Sequence, residues 1–156
     1  MSKPLTHLNQ KGEAHIVDVG GKDITARRAV ARATLEAKRE TIAAIAGGEL
    51  KKGDALAVAR IAGIMAAKKT SDLIPLCHLI ALNKVEVDIT VDGGLITILA
   101  TVETNDRTGV EMEAMTAASV AALTLYDMAK GIDRAMRITT VELAEKSGGK
   151  SGDFRR

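Results

Sequence analysis

Aromatic side chains are nearly absent from this chain, at 1% of its residues, Tyr126 and Phe154, with no tryptophan. That scarcity removes the stacking platforms on which single-stranded nucleic acids are held. It also leaves the core to be built from Ala, Val, Ile, Leu and Met. Small aliphatic side chains pack closely but each buries little area, so association of subunits is expected to supply what the core lacks. Cysteine is equally scarce: Cys77 stands alone, which excludes an intrachain disulfide and fits a reducing cytoplasm. With histidines only at positions 7, 15 and 78, no paired ligand spacing for zinc exists. Charge of one sign is not in excess either. Twenty-two Lys and Arg face twenty Asp and Glu, a net charge of +2, far from the balance of a protein that coats nucleic acid. No stretch of about 18 apolar residues is free of charge, so no membrane span is expected. The first ten residues lack the apolar core of a signal peptide. The remaining 46% of hydrophobic residues in 156 predicts one cytoplasmic domain with a real core.

Residues 1–13 are polar and aperiodic and read as a flexible arm. From Ile24 to Leu35 the apolar Ala29, Ala31, Ala33 and Leu35 alternate with Arg28, Arg32 and Thr34, the pattern of a half-exposed strand. A short helix follows, about Lys38 to Ala46, closed by Gly47-Gly48. Asp54 caps a second helix, about Ala55 to Lys69, with Leu56, Ala59, Gly63, Ile64 and Ala67 at helical spacing. The segment Leu73 to His78 is apolar but broken by Pro75, an ordered loop. Val85, Val87, Ile89 and Val91 alternate as a strand, and Asp92-Gly93-Gly94 turns the chain into another from Leu95 to Glu103. A long helix and a last strand, Arg137 to Leu143, complete the order, and residues 146–156 read as a flexible basic tail. Setting one helix aside, this is the split βαβ order of a ferredoxin-like α+β domain, an antiparallel sheet packed with helices.

The long helix, Thr108 to Lys130, is the most informative segment. It is apolar nearly all round, as in a helix buried on more than one side, yet carboxylates mark its start and Asp127 and Lys130 its end. Glu113 and Asp127 lie roughly 21 Å apart along the axis but on nearly the same face. That exceeds one compact site, so the helix argues for an oligomer whose subunits share sites at their interfaces. Thr108 and Glu111 fit a capping box, which leaves Glu113 unexplained; a carboxylate suits the N1–H and exocyclic amine of a guanine-like ring. Asp127 and Lys130 are an i, i+3 pair, a modest surface bridge in most settings. Their neighbours Leu123, Leu125, Tyr126 and Met128 predict partial burial, where Lys130 could act as acid or base. Gly149-Lys150-Ser151 imitates the end of a phosphate loop, but Ala144 replaces the first glycine and no room remains for the helix. Cys77 reads as a small buried hydrophobe, and His78 as either a core histidine or a proton shuttle.

Taken together, Ile-Pro-Leu-Cys-His (74–78), Thr-Gly-Val-Glu-Met-Glu-Ala (108–114), Tyr-Asp-Met-Ala-Lys (126–130) and Lys-Ser-Gly-Gly-Lys-Ser-Gly (146–152) resemble the MoaC family. These are the cyclic pyranopterin monophosphate synthases of molybdenum cofactor biosynthesis. Leu5-Thr-His, Gly12-Glu-Ala-His, Val17-Asp-Val, Lys52-Gly-Asp and Ala59-Arg-Ile-Ala-Gly-Ile match as well, so the resemblance runs through nearly the whole chain.

The resemblance implies a ferredoxin-like fold and a homohexamer of three dimers with active sites at dimer interfaces. The implied substrate is 3′,8-cyclo-7,8-dihydroguanosine triphosphate, supplied by a radical S-adenosylmethionine enzyme and rearranged to the pyranopterin with release of pyrophosphate. Carried over by motif, Asp127 and Lys130 belong to the catalytic set, with Lys52 and His78 beside them. Leu76, Cys77, His78, Met112 and Glu113 would line the substrate pocket, supported by Asp18, Arg27 and Lys146. The chain departs from the family pattern at Leu79, where proline is usual, and at Arg107, where many relatives have lysine. The rearrangement needs no redox cofactor and no protein metal site; whether magnesium accompanies the triphosphate stays open. A rival reading is a non-catalytic, ligand-binding regulatory oligomer, which leaves the charges at both helix ends without a purpose.

Overall fold

The alternation that begins the chain's first apolar segment places the central strand of the sheet. In the computed structural model, which describes residues 6–156, that strand is β1 (Thr25–Glu36). It is followed by α1 (Arg39–Gly47), α2 (Ala55–Lys68), a single-turn α3 (Thr70–Leu73), β2 (Lys84–Asp92) and β3 (Leu95–Asp106). Then come α4 (Glu111–Ala129), β4 (Arg137–Ser147) and a short β5 (Phe154–Arg155). The sheet order is β2-β3-β1-β4-β5 with every neighbouring pair antiparallel, the ferredoxin-like arrangement expected from the element order.

Because side chains alternate across a strand, one phase of β1 builds the core. Ala29, Ala31, Ala33 and Leu35 are fully buried, opposite Val102, Ala100, Ile98 and Ile96 of β3. The other phase carries Arg28 and Arg32, paired with Glu145 and Glu142 of β4 at 3.1 and 3.0 Å. Helix α4 lies on the buried face, and α2 packs along it. Close approach is achieved with small residues: a methyl added at Gly63 would sit 3.0 Å from the Ala117 carbonyl and 3.3 Å from the Ala121 methyl. Asp54 caps α2 by accepting from the Ala57 N–H at 3.1 Å. Buried Asp133, in the α4–β4 connection, accepts from the Lys38 N–H and the Thr41 hydroxyl, each at 3.1 Å. It thereby fixes the segment just after α4 to the start of α1, and those donors hold its carboxyl below the usual range. One apolar strip stays open: Val58, Ile61 and Met65 on α2 and Leu123 on α4 are exposed.

Several boundaries differ from the sequence reading. Strand β3 runs on to Asp106 and β4 to Ser147, because β1 offers a partner along that whole length, from Thr25↔Asp106 to Arg28↔Ser147. The tail expected to be flexible from Lys146 therefore contributes Lys146 and Ser147 to β4, and returns as β5 against Glu145 and Lys146. Helix α4 starts at Glu111 rather than Thr108. The α3 turn was not anticipated. Its Thr70 is buried and bonds back to the Ala66 and Ala67 carbonyls. Of the expected arm, residues 1–5 lie outside the described residues; the rest makes a small turn in which Leu8 bridges Ala14.

Candidate active site

Charged groups gather at both ends of α4. At its C-terminal end the α1–α2 connection delivers Lys52, whose Nζ donates to Asp127 Oδ2 and to the Asp127 carbonyl, both at 3.0 Å. Lys130, at the helix end, donates to Asp127 Oδ1 at 2.7 Å. These hydrogen bonds, from Lys130 first and Lys52 second, hold the Asp127 carboxyl below its usual range. The three side chains are about half exposed: the apolar neighbours Leu125 and Met128 pack toward the core while Asp127 faces out with Leu123.

At the N-terminal end the loop after α3 meets the start of α4. His78 Nε2 lies 2.6 Å from the Val17 carbonyl; a carbonyl can only accept, so this nitrogen carries a proton. Leu76, Cys77, His78, Met112 and Glu113 line one cavity of about 450 Å³, together with Val17 and Ile80. Glu113 is 4% exposed and burial pushes its carboxyl up from 4.5 to about 7. Burial, and then Glu113 itself, raises the Cys77 thiol.

A second cavity, about 480 Å³, adjoins the first through Lys22, Thr108, Gly109 and Glu111, which line both. Arg27 and Lys146 reach it because of strand phase. Arg27 is opposite buried Thr104, and Lys146 is opposite buried Ala29, so both project from the helix-bearing face. Lys146 pairs with Glu111 at 3.0 Å. The capping box is thereby overturned: Val110 is the N-cap, without a side-chain bond, since a charged partner holds a carboxylate more strongly than a neutral amide does. The tail passes directly over Arg27. Gly149 has φ +81, and a methyl there would overlap the Arg27 guanidinium. Asp18 lines neither cavity; its Oδ1 accepts from the Gly20 N–H at 2.8 Å and shapes the loop that carries Val17 and Val19. Among the described residues, no group of three or more His, Cys, Asp or Glu could hold a metal ion. No described helix is long and apolar enough to cross a membrane.

The model of the MoaC family matches residues 16–149. The chain belongs to the MoaC family. Among the curated relatives, the cyclic pyranopterin monophosphate synthase of Dinoroseobacter shibae is 57% identical over 152 residues, 96% of each chain. The synthases of Peptoclostridium acidaminophilum and Parvibaculum lavamentivorans are 53% and 54% identical, covering 97% or more of both chains. The two departures from the MoaC pattern noted above have different settings. Leu79 is 84% exposed in a loop already pinned by the Cys77 N–H to Ile74 carbonyl bond and by His78. Arg107 is tied in: its Nε donates to the Lys22 carbonyl and its own carbonyl accepts from Arg27, each at 3.1 Å. Lys22 and Thr25 line the second cavity and were not singled out from sequence; Lys150, met there only as part of an imitated phosphate loop, lines it too. Thr25 and Arg27 share the phase of Ala29 to Leu35, and that parity was the available signal.

The raised carboxyl of Glu113 has a consequence for stability. Unfolded, it titrates near 4.5 and folded near 7, so between those pH values the fold holds the extra proton and stability falls as pH rises. Glu113→Gln is expected to be more stable than the parent above about pH 8, on the order of 3 kcal/mol, with the advantage vanishing toward pH 4.5. Urea unfolding at a series of pH values checks this; a difference independent of pH would refute it.

Proposed function

We propose that this chain converts 3′,8-cyclo-7,8-dihydroguanosine triphosphate to cyclic pyranopterin monophosphate, releasing pyrophosphate, an early step of molybdenum cofactor biosynthesis. The observation that carries this reading is the 53–57% identity, over nearly the full chain, to proteins of that name. The cavities support it. The buried Glu113 carboxyl lining the first suits the polar edge of a guanine-derived ring, and cations crowd the second. Glu113 would orient the ring, with Leu76, Cys77 and Met112 around it.

Opening the purine and closing the pterin needs several proton transfers. Lys130 and Lys52, arranged by ionised Asp127, are suited to donate and accept them, with His78 at the other end. In the phosphate step a substrate hydroxyl gives its proton to a base and bonds to the α-phosphorus. The bond from that phosphorus to the bridging oxygen breaks, and pyrophosphate leaves with the electron pair. Cations stabilise the charge that develops.

Both ends of α4 serve one reaction if subunits share sites, and the exposed strip of Val58, Ile61, Met65 and Leu123 favours such association. The reading is therefore a cytoplasmic homohexamer of three dimers with sites at dimer interfaces. It acts after a radical S-adenosylmethionine enzyme and carries no resident cofactor, any magnesium arriving with the triphosphate. Incubation with the cyclised nucleotide should release stoichiometric pyrophosphate and a pterin product. Binding of the nucleotide by folded protein with no pyrophosphate would overturn the reading in favour of a binding-only oligomer.

A further inference from the structure

Thr6 and His7 also line the first cavity, beside Cys77, His78 and Glu113 from distant parts of the chain. A small hairpin brings them there. Asn9 Oδ1 accepts from the Lys11 and Glu13 N–H groups at 2.9 and 3.0 Å, and Asn9 Nδ2 donates to Glu13 Oε2 at 2.9 Å. Gly12 supplies a φ of +78 at the turn, a conformation glycine adopts without strain. Next to the turn Leu8 bridges Ala14, and the His15 N–H donates to the His7 carbonyl at 3.0 Å. Two residues beyond His15, the Val17 carbonyl accepts from His78 Nε2. The base of the hairpin is thereby tied to the cavity wall.

What this cavity lacks defines what His7 adds. A flat heterocycle is held by surfaces that cover its faces and by polar groups that meet its edge. Glu113, buried, suits the edge. Neither aromatic residue of the chain lines the cavity. Tyr126 lies at the C-terminal end of α4, where its hydroxyl donates to the Arg134 carbonyl. Phe154 lies in β5 under the Arg156 guanidinium. The planar rings on the lining are therefore two imidazoles, His7 and His78. His78 is committed to Val17 through Nε2. Thr6 and His7 are exposed where Glu113 is buried, which sets them at the mouth of the cavity rather than its floor.

From this we infer that His7 covers the open face of the substrate's ring, so that the N-terminal hairpin completes the ring pocket. The inference rests on the proposed function for the identity of that ring. It deepens the reading by naming a residue that meets the face of the ring while Glu113 meets its edge. His7 is a specificity residue: a planar imidazole favours a flat, guanine-derived ring and gives nothing to a ligand that lacks one. Proton transfer stays with the groups already assigned to it.

The test uses the full chain and guanosine 5′-triphosphate, the uncyclised parent of the proposed substrate, in titration calorimetry at fixed ionic strength. His7→Ala should weaken its binding at least about fivefold, the loss expected when a ring stacked on a base is truncated. His7→Phe keeps a planar ring without its N–H and should bind as the parent does. Lys11→Ala, at the tip of the same hairpin, should change nothing. Inorganic tripolyphosphate, which has no ring, should bind all four proteins alike. In turnover of the cyclised nucleotide, His7→Ala should raise KM and leave kcat unchanged, the signature of lost uniform binding. Parent-like binding by His7→Ala, or no binding of the guanosine nucleotide by the parent, overturns the inference. Equal weakening in His7→Phe would mean a hydrogen bond rather than a covering ring, and equal weakening in Lys11→Ala would mean charge attraction; each also overturns it. Parent turnover that the His7 variants leave untouched sinks the inference alone. Nucleotide binding that depends on His7, without pyrophosphate release from the cyclised nucleotide, sinks the functional reading and leaves the ring contact standing.

Discussion

Asp127→Ala lowers turnover of the cyclised nucleotide by at least about 10²-fold, with the oligomer intact, and Lys130→Ala does the same. The expectation rests on the geometry at the end of α4. Asp127 is the common acceptor of Lys130 at 2.7 Å and Lys52 at 3.0 Å. Removing its carboxylate leaves two ammonium groups with no anion between them: Lys130 loses its acceptor, and Lys52 keeps only the backbone carbonyl of residue 127. Removing Lys130 leaves Asp127 and Lys52 paired but takes away a group that can carry a proton. A guanidinium keeps the charge but does not release a proton, so Lys130→Arg should rescue assembly and substrate affinity but not turnover. Steady-state kinetics on variants matched for assembly provide the check. Near-normal turnover in either alanine variant would return that residue to the role of an exposed helix-end ion pair, which contributes little to stability.

Mixing inactive Glu113→Ala and Asp127→Ala proteins under conditions of subunit exchange restores activity. Helix α4 has 19 residues, and its two charged ends lie roughly 21 Å apart, so one chain cannot bring Glu113 and its own Asp127 to a single substrate. If a site combines the helix start of one subunit with the helix end of its neighbour, a mixed dimer contains one site with two wild-type halves and one with none. Random exchange of equal amounts then gives about a quarter of wild-type activity in a two-fold assembly. Each protein alone stays inactive, and mixing without exchange restores nothing. Verified exchange with no recovered activity would show that the sites are not shared, and both ends of α4 would then need separate explanations.

Much of this was readable from residue order because it depends on local periodicity. The two-residue period of Ala29 to Leu35, and of Ile96 to Val102, fixed which side of each strand is buried. Asp54 before an apolar run marked the α2 cap, and the Gly93-Gly94 turn set the register of β2 on β3. Local pattern was also where the reading erred. Thr108 and Glu111 have capping-box spacing, but spacing cannot disclose that Lys146, thirty-five positions on in the sequence, reaches the same carboxylate. The composition of the tail suggested freedom, yet an unfilled edge of β4 was there to pair with it.

The sequence by itself therefore determined the element order, the buried faces and the motifs of the MoaC family, all properties of neighbouring residues and their periodicities. Only the tertiary structure decided which charges meet. It set Lys52 on Asp127, Lys146 on Glu111, and Arg27 beneath the tail. Those outcomes depend on strand order, on the strand phase shared by residues far apart in the chain, and on where a helix stops covering the sheet. Side-chain charges act over a few ångströms of space and carry no record of their distance in sequence.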